Sequence, residues 1–200
     1  MIRNLNWANR ITLLRVLLIP VLVGALLARL PNWGPIWAAG LFSLLAATDA
    51  VDGYLARSRN EVTTFGKLID PLADKLLVTA ALVVLVELDT LPAAVALVII
   101  SREFIVTGLR MVAVVEGKVI AAGGFGKAKT FFQVVAVTAF IMKDSQPVTS
   151  LGAPWTEVAQ WVSWAVMIVA LALTVYSMVG YFYHARDVIT TVPLGAKQES

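Results

Sequence analysis

Six long apolar stretches constrain the fold of this chain more than any other feature of its sequence. Each is close to the length of about 20 mostly apolar residues that a helix needs to cross a bilayer. Their approximate bounds are residues 10–29, 34–57, 64–86, 91–115, 125–142 and 158–184. The chain is also 59% hydrophobic and 14% charged, which lies outside the range of ordinary soluble domains. We therefore predict an all-α integral membrane protein with six transmembrane helices.

The apolar stretches follow one another without a Ser/Gly-rich linker or a polar block, which indicates one domain. We predict a single membrane-embedded domain over residues 1–200, with a short cytoplasmic N-terminus (1–9) and a cytoplasmic tail (185–200). The sequence has no cysteine, so any metal must bind to oxygen ligands or to the one histidine. A net charge of +3 is modest, and we expect no nucleic acid as a partner.

The distribution of Lys and Arg predicts which side of the membrane each loop faces. If the N-terminus is cytoplasmic, only Arg29 and Lys143 of the sixteen Lys and Arg residues fall in outer loops. Loops on the cytoplasmic side carry an excess of these residues in membrane proteins. We therefore expect both termini, and the loop between the second and third spans, to face the cytoplasm.

Four aspartates lie in the cytoplasmic halves of the second and third predicted spans. Asp49 and Asp52 are three residues apart, and Asp70 and Asp74 are four apart, so each pair occupies one face of its helix. An Asp at the centre of a membrane helix costs roughly 2.5–3.5 kcal/mol, and such residues usually mark a functional polar site. Carboxylate oxygens suit hard divalent cations, so the four residues predict a metal site. For any one aspartate, an ion pair with a nearby Lys or Arg is the alternative.

These aspartates belong to a longer pattern, DxxDGxxARx8GxxxDxxxD, which runs from Asp49 to Asp74. The pattern resembles the signature of the CDP-alcohol phosphatidyltransferase family, six-helix membrane enzymes of phospholipid synthesis. The resemblance implies the transfer of a phosphatidyl group from CDP-diacylglycerol to an alcohol, with release of CMP. It also implies a homodimer in a bacterial cell membrane, with the active site facing the cytoplasm.

The family resemblance implies separate roles for the four aspartates. Asp49, Asp52 and Asp70 are expected to bind a divalent metal, Mg²⁺ or Mn²⁺, usually as a pair of ions. Asp74 is expected to contribute to the metal site and to act as the general base that takes the proton of the acceptor alcohol. The chemistry agrees, because displacing CMP at a phosphorus needs charge neutralisation and a positioned base, and no covalent nucleophile.

A further group of residues is expected to contact CDP-diacylglycerol. These residues are Asn9, Thr12, Gly53, Arg57, Thr63 and Gly66. Asn9, Thr12 and Arg15 recur at helical spacing, so one face of the first span is placed to reach the nucleotide or the lipid head group. N-terminal capping and positive-inside charge explain these three residues equally well at this stage.

Cationic residues of the fourth and fifth spans predict the kind of acceptor. Arg102 lies within the fourth span, Arg110 lies nearer its cytoplasmic end, and Lys127 and Lys129 open the fifth span. Arg110, Lys127 and Lys129 are expected at the level of the aspartates, with Arg102 deeper in its span. Together they predict a cationic pocket suited to a phosphorylated acceptor. Positive-inside anchoring is the alternative for Arg110 and Lys129. Neutralisation by Glu103 is the alternative for Arg102.

Three further runs resemble the bacterial branch of the family whose acceptor is sn-glycerol 3-phosphate. They are NxxTxxR at 9–15, REFIVTGLR at 102–110 and GKAKT at 126–130, and the resemblance extends from about residue 4 to about residue 187. Glycerol 3-phosphate is therefore the acceptor we expect. Inositol phosphate, phosphatidylglycerol or serine is the alternative acceptor within the family. A divalent-cation transporter is the alternative of another class, although a transporter is expected to place its acids near the midplane.

Overall fold

The computed structural model describes the backbone of residues 7–58, 64–115 and 124–189, and the side chains of residues 11–48, 75–111 and 128–181. Within these ranges the chain is helical and contains no strand. The helices are α1 (Trp7–Leu27), α2 (Gly34–Ser58), α3 (Thr64–Glu87), α4 (Ala93–Val115), α5 (Gly124–Met142), α6 (Gln146–Thr149) and α7 (Ala153–Ile189). The all-α prediction is confirmed, and α1 to α5 begin and end within three residues of the predicted stretches.

The C-terminal part of the chain departs from the prediction. Residues 143–157, expected to form one long turn, contain the single-turn helix α6 and the start of α7. Pro147 and Pro154 stand in the first turns of these two helices, where a backbone N–H has no intrahelical partner and its loss costs little. Both prolines therefore mark helix starts rather than an extended turn. The 37 residues of α7 rise about 55 Å, further than the predicted stretch 158–184.

Each long helix turns one face into a shared core. On α1 the inward stripe is Thr12, Arg15, Ile19, Leu22 and Leu26, spaced by three or four residues as one helix face requires. Helix α1 packs against α2 and α3, while α5 packs against α2, α3 and α7, and α4 packs against α3 and α7. Alanines at several of these contacts allow close approach of the backbones, as is common between membrane helices. They are Ala38, Ala39, Ala81, Ala136 and Ala170.

The outward faces of the helices are apolar as well. On α1 the outward residues Leu13, Leu14, Leu17 and Val21 are 42–63% exposed. Soluble monomers rarely present contiguous apolar surface of this extent, whereas lipid chains cover it without cost. The exposed faces therefore agree with a membrane protein.

Length and apolar composition qualify one helix of the described chain as a bilayer span on its own, over Ala153–Tyr181 of α7. Three further apolar helical segments within the described residues are shorter, at Ile11–Leu27, Gly34–Thr48 and Ala128–Met142. The number of six spans therefore stays a prediction.

Candidate functional site

The acidic residues of the signature lie at one end of the helix pair α2 and α3. Asp49 and Asp52 stand in the C-terminal half of α2, and Asp70 and Asp74 stand in the N-terminal half of α3. The two helices pack against each other and are joined through residues 59–63, so the end of one lies near the start of the other. The side chains of the four aspartates lie outside the described residues. The backbone placement is the one that a joint metal site requires, and the site itself stays a prediction.

The residues expected to contact the nucleotide flank the same helix ends. Gly53 and Arg57 lie in the last part of α2, and Gly66 lies in the first turn of α3. Thr63 lies outside the described residues, and so do the side chains of Arg57 and Asn9. Their contacts with CDP-diacylglycerol stay predictions.

Helix α1 contributes two buried polar side chains to this end of the bundle. Thr12 is 2% exposed and Arg15 is 1% exposed, on the face that packs against α2 and α3. Because α1 begins at Trp7, Thr12 is not a capping residue, and burial excludes Arg15 as a surface charge. Residues 28–33 join α1 to α2. Thr12 lies as many residues before the end of α1 as Asp49 lies after the start of α2, so the two stand at about the same level along the packed helices. The capping and surface-charge explanation therefore fails for Thr12 and Arg15, while their contact with the nucleotide stays a prediction.

The cations of α4 and α5 form one buried cluster with α7. Arg102 is 6% exposed and Lys129 is 2% exposed. Glu103 accepts hydrogen bonds from both, with 3.2 Å between its Oε1 and the Nη1 of Arg102. The Nη2 of Arg102 also donates to the Oγ of Ser177 at 2.6 Å. The carboxylate of Glu103 is thus shared by two buried cations of different helices.

The ring of Tyr181 lies between two guanidinium groups of α4. The Cζ atoms of Arg102 and Arg110 are 5.8 and 5.5 Å from its centroid. A guanidinium within about 6 Å of an aromatic face is attracted by the ring quadrupole. The Nε atoms of both arginines are buried and have no hydrogen-bond partner among the described residues. A buried N–H without a partner is costly, and a ligand with acceptor oxygens would provide a partner for each of these donors.

The structure therefore assembles three of the four residues predicted for the acceptor pocket. Arg102, Arg110 and Lys129 meet around Glu103 and Tyr181. Lys127 lies in the first turn of α5, and its side chain is outside the described residues. The carboxylate of Glu103 neutralises one of the three positive charges. Lys129 is buried, so surface anchoring does not explain its position. Phosphate binding by the cluster stays a prediction.

Ser177 and Tyr181 are part of this cluster and were missed in the sequence. A signal existed, because the buried stripe of α7 contains Ser163, Thr174 and Ser177 in an otherwise apolar helix. Tyr181 follows Ser177 by one helical turn and lies on the same face. Hydroxyl groups at that spacing predict a polar contact with another helix, here α4.

The described side chains offer no competing metal site. Within residues 11–48, 75–111 and 128–181, no three His, Asp or Glu side chains come together in a way that would hold a metal ion. The aspartates of α2 and α3 therefore remain the candidate ligands.

Comparison with known proteins agrees with this arrangement. A family model described as CDP-alcohol phosphatidyltransferase matches residues 5–176. The chain is 45% identical over 170 residues to the CDP-diacylglycerol--glycerol-3-phosphate 3-phosphatidyltransferase of Bacillus subtilis (strain 168), covering 79% of this chain and 87% of the relative. A protein of the same name from Sodalis glossinidius (strain morsitans) is 37% identical over 191 residues, covering 92% and 96%. Another from Pseudomonas fluorescens is 39% identical over 186 residues, covering 88% of each chain.

Proposed function

The chain belongs to the CDP-alcohol phosphatidyltransferase family, and on that premise we propose that it transfers the phosphatidyl group of CDP-diacylglycerol to sn-glycerol 3-phosphate. The products are phosphatidylglycerophosphate and CMP. The names of the relatives state the same donor and acceptor. The observation that carries the acceptor assignment is the cluster in which Arg102 and Lys129 pair with Glu103, while Arg102 and Arg110 both lie against the ring of Tyr181.

The charge of this cluster favours a phosphorylated acceptor over a neutral one. Three cationic side chains come together there, and they attract the negative charge of a phosphate group. Guanidinium groups donate to phosphate oxygens in a bidentate geometry, and the buried Nε atoms of Arg102 and Arg110 are donors of this kind. An acceptor without phosphate leaves these donors unpaired, and sites of that kind discriminate strongly. Serine is therefore a poor acceptor for this pocket.

The donor phosphates belong to the aspartate end of α2 and α3. We propose that Asp49, Asp52, Asp70 and Asp74 hold Mg²⁺ or Mn²⁺ there, as a pair of ions. The residues fit this role because their donors are all carboxylate oxygens on two helix ends that pack together. When bound, the metal supplies neutralisation of the negative charge on the pyrophosphate.

The protein's own residues orient the reactants and move one proton. The hydroxyl oxygen of the acceptor attacks the phosphorus that carries the diacylglycerol, and Asp74 accepts the hydroxyl proton. The P–O bond of the pyrophosphate bridge breaks, and CMP leaves with the bridging oxygen. Arg57 is placed to donate to the CDP phosphates, while Arg102 and Arg110 hold the acceptor phosphate away from the attacked atom. The transfer needs no covalent enzyme intermediate.

The same proposal includes the setting of the molecule. Six spans with both termini in the cytoplasm place the aspartates and the acceptor cluster at the cytoplasmic side of a bacterial cell membrane. The exposed apolar faces of the described helices and the scarcity of Lys and Arg in the outer loops support this orientation. CDP-diacylglycerol then enters laterally from the inner leaflet, and glycerol 3-phosphate enters from the cytosol. The homodimer rests on the family resemblance alone.

Release of CMP by the purified protein tests the proposed reaction. The protein receives CDP-diacylglycerol, Mg²⁺ or Mn²⁺, and one acceptor at a time: glycerol 3-phosphate, inositol phosphate, phosphatidylglycerol or serine. We expect rapid release with glycerol 3-phosphate, and loss of release when EDTA removes the metal. Faster release with another acceptor contradicts the acceptor assignment, and an absence of release with all four contradicts the reaction.

A further inference from the structure

A cavity of about 460 Å³ lies at the end of the bundle opposite the aspartates. It forms where the α1–α2 turn, the α3–α4 turn and the α5–α6 turn meet. Its apolar lining includes Leu26, Leu85 and Phe140, and its polar lining includes Arg29 and Asn32. The volume lies within the range of about 300–1,000 Å³ that small-ligand sites occupy. The proposed reaction uses no part of this cavity.

Arg29 presents an unneutralised positive charge to the cavity. The residue is exposed, and no described side chain forms an ion pair or a hydrogen bond with it. The acidic residue of the lining, Asp144, is already paired with Lys143. The cavity therefore carries one guanidinium that is available to an anion.

The backbone holds Arg29 in a conformation that its side chain does not favour. Its φ is 45°, in the left-handed region that costs a residue with a Cβ roughly 1–2 kcal/mol. Glycine is the usual residue at this position after a helix. Among the described non-glycine residues, positive φ occurs at Arg29, Asn32 and Asp89, and asparagine and aspartate tolerate it better than arginine does. Substitution of Arg29 by glycine would therefore relieve backbone strain, which makes the position suitable for testing the side chain.

Tryptophans locate the cavity at the head-group level of the membrane. Trp33 and Trp37 are 61% and 76% exposed beside the lining residues Asn32 and Ala38. Tryptophan is enriched where the hydrocarbon core meets the head groups. Leu30 lines the cavity on the same turn and is also exposed, so it adds an apolar surface to the opening. A ligand of this cavity is therefore polar at the rim and apolar towards the membrane.

We propose that this cavity binds a phospholipid of the outer leaflet, with its phosphodiester on the Arg29 guanidinium. The guanidinium matches phosphate oxygens in a bidentate geometry, and the apolar lining around Leu26 accommodates the start of the acyl chains. The site rests on the membrane orientation of the proposed function, and it is independent of the reaction. It serves as a lipid anchor for the turns that join α1 to α2 and α3 to α4.

Substitution of Arg29 by glycine separates the charge from the fold. Glycine adopts positive φ without strain, so Arg29→Gly is expected to stabilise the lipid-free protein or leave it unchanged while removing the guanidinium. Asp89→Gly is the matched control, because it places a glycine at another positive-φ position of the same end, and Asp89 does not line the cavity. Arg29→Gln is a second variant, which removes the charge but keeps a long polar side chain.

Lipid binding is measured on delipidated protein in detergent, by the shift of the unfolding midpoint and by native mass spectrometry. Phosphatidylglycerol is expected to stabilise the wild type and Asp89→Gly at the same concentrations, and to stabilise both Arg29 variants only at roughly tenfold higher concentrations. Diacylglycerol and inorganic phosphate are expected to give no shift. An equal response of Arg29→Gly to phosphatidylglycerol overturns the site, and an equal response of the wild type to inorganic phosphate overturns its assignment to a lipid.

Release of CMP from CDP-diacylglycerol is followed in the same preparations. Arg29→Gly is expected to keep the wild-type rate, since the cavity lies opposite the aspartates. A wild type that binds the lipid but releases no CMP contradicts the proposed reaction alone. A wild type that releases CMP while its lipid response ignores Arg29 contradicts the lipid site alone.

Discussion

Glu103 organises the buried cations of the proposed acceptor pocket. Because its carboxylate accepts hydrogen bonds from both Arg102 and Lys129, Glu103→Gln removes the charge that fixes these two side chains. We expect the KM for glycerol 3-phosphate to rise about tenfold, as the loss of a charged hydrogen bond predicts, while the KM for CDP-diacylglycerol stays the same. Initial rates of CMP release with each substrate varied in turn measure both values.

The control for this substitution is Glu157→Gln, which changes the same charge at an exposed position near the start of α7. It is expected to leave both KM values unchanged. A parallel rise of the two KM values in Glu103→Gln would assign this carboxylate to stability of the bundle rather than to the acceptor pocket.

Asp74 is the residue that separates the enzyme from the transporter alternative. Asp74→Asn keeps the size of the side chain but removes the base, and loss of a general base typically lowers a rate by about 10²–10⁴. We therefore expect CMP release to fall by that factor, with CDP-diacylglycerol still bound in an equilibrium assay. Asp144→Asn, an acid of the opposite end, is the control and is expected to be fully active. Intact CMP release together with a loss of metal uptake into vesicles would favour a transporter.

At the scale of elements, the sequence predicts helices better than it predicts how their faces meet. Stretches of about 20 apolar residues place α1 to α5, because length and hydropathy are local properties. The start of α7 is misplaced because proline is compatible both with a turn and with the first helical turn. The sharing of Glu103 between Arg102 and Lys129 depends on how the bundle brings residues of α4 and α5 together, which residue spacing within one helix does not predict.

Tyr181 of α7 contributes an aromatic ring to the proposed acceptor pocket. We predict that the effect of this residue on acceptor binding depends on the ring rather than on the hydroxyl group. Tyr181→Phe keeps the face between Arg102 and Arg110, whereas Tyr181→Leu removes it. Each cation–π contact is worth roughly 0.5–1 kcal/mol, or more where it is desolvated. We expect the KM for glycerol 3-phosphate to rise several-fold in Tyr181→Leu and to stay near the wild-type value in Tyr181→Phe. Equal defects in the two variants would transfer the role to the hydroxyl group.

In the proposed orientation, the two ends of the molecule face opposite sides of the membrane and differ in their polar residues. One end carries the aspartates of α2 and α3 with the cations of α4 and α5, and the other carries the cavity around Arg29. At 1.5 Å per residue α7 is about 55 Å long, while the hydrocarbon core is about 30 Å thick. Helix α7 is therefore longer than the core is thick, and in the proposed orientation Tyr181, at the end of its long apolar segment, lies near the cytoplasmic boundary. The proposed active site and the end of this helix then share one interface.

The absence of cysteine makes this orientation directly testable, since any introduced thiol is the only one in the chain. Ser150→Cys lies in the exposed turn between α6 and α7, on the proposed outer side. Asn60→Cys and Ser200→Cys lie on the proposed cytoplasmic side. A membrane-impermeant maleimide added to intact spheroplasts is expected to label Ser150→Cys alone, and to label all three variants after the membrane is permeabilised. Labelling of Asn60→Cys or Ser200→Cys in intact spheroplasts contradicts six spans with cytoplasmic termini, because an even number of spans places both termini and the α2–α3 connection on one side.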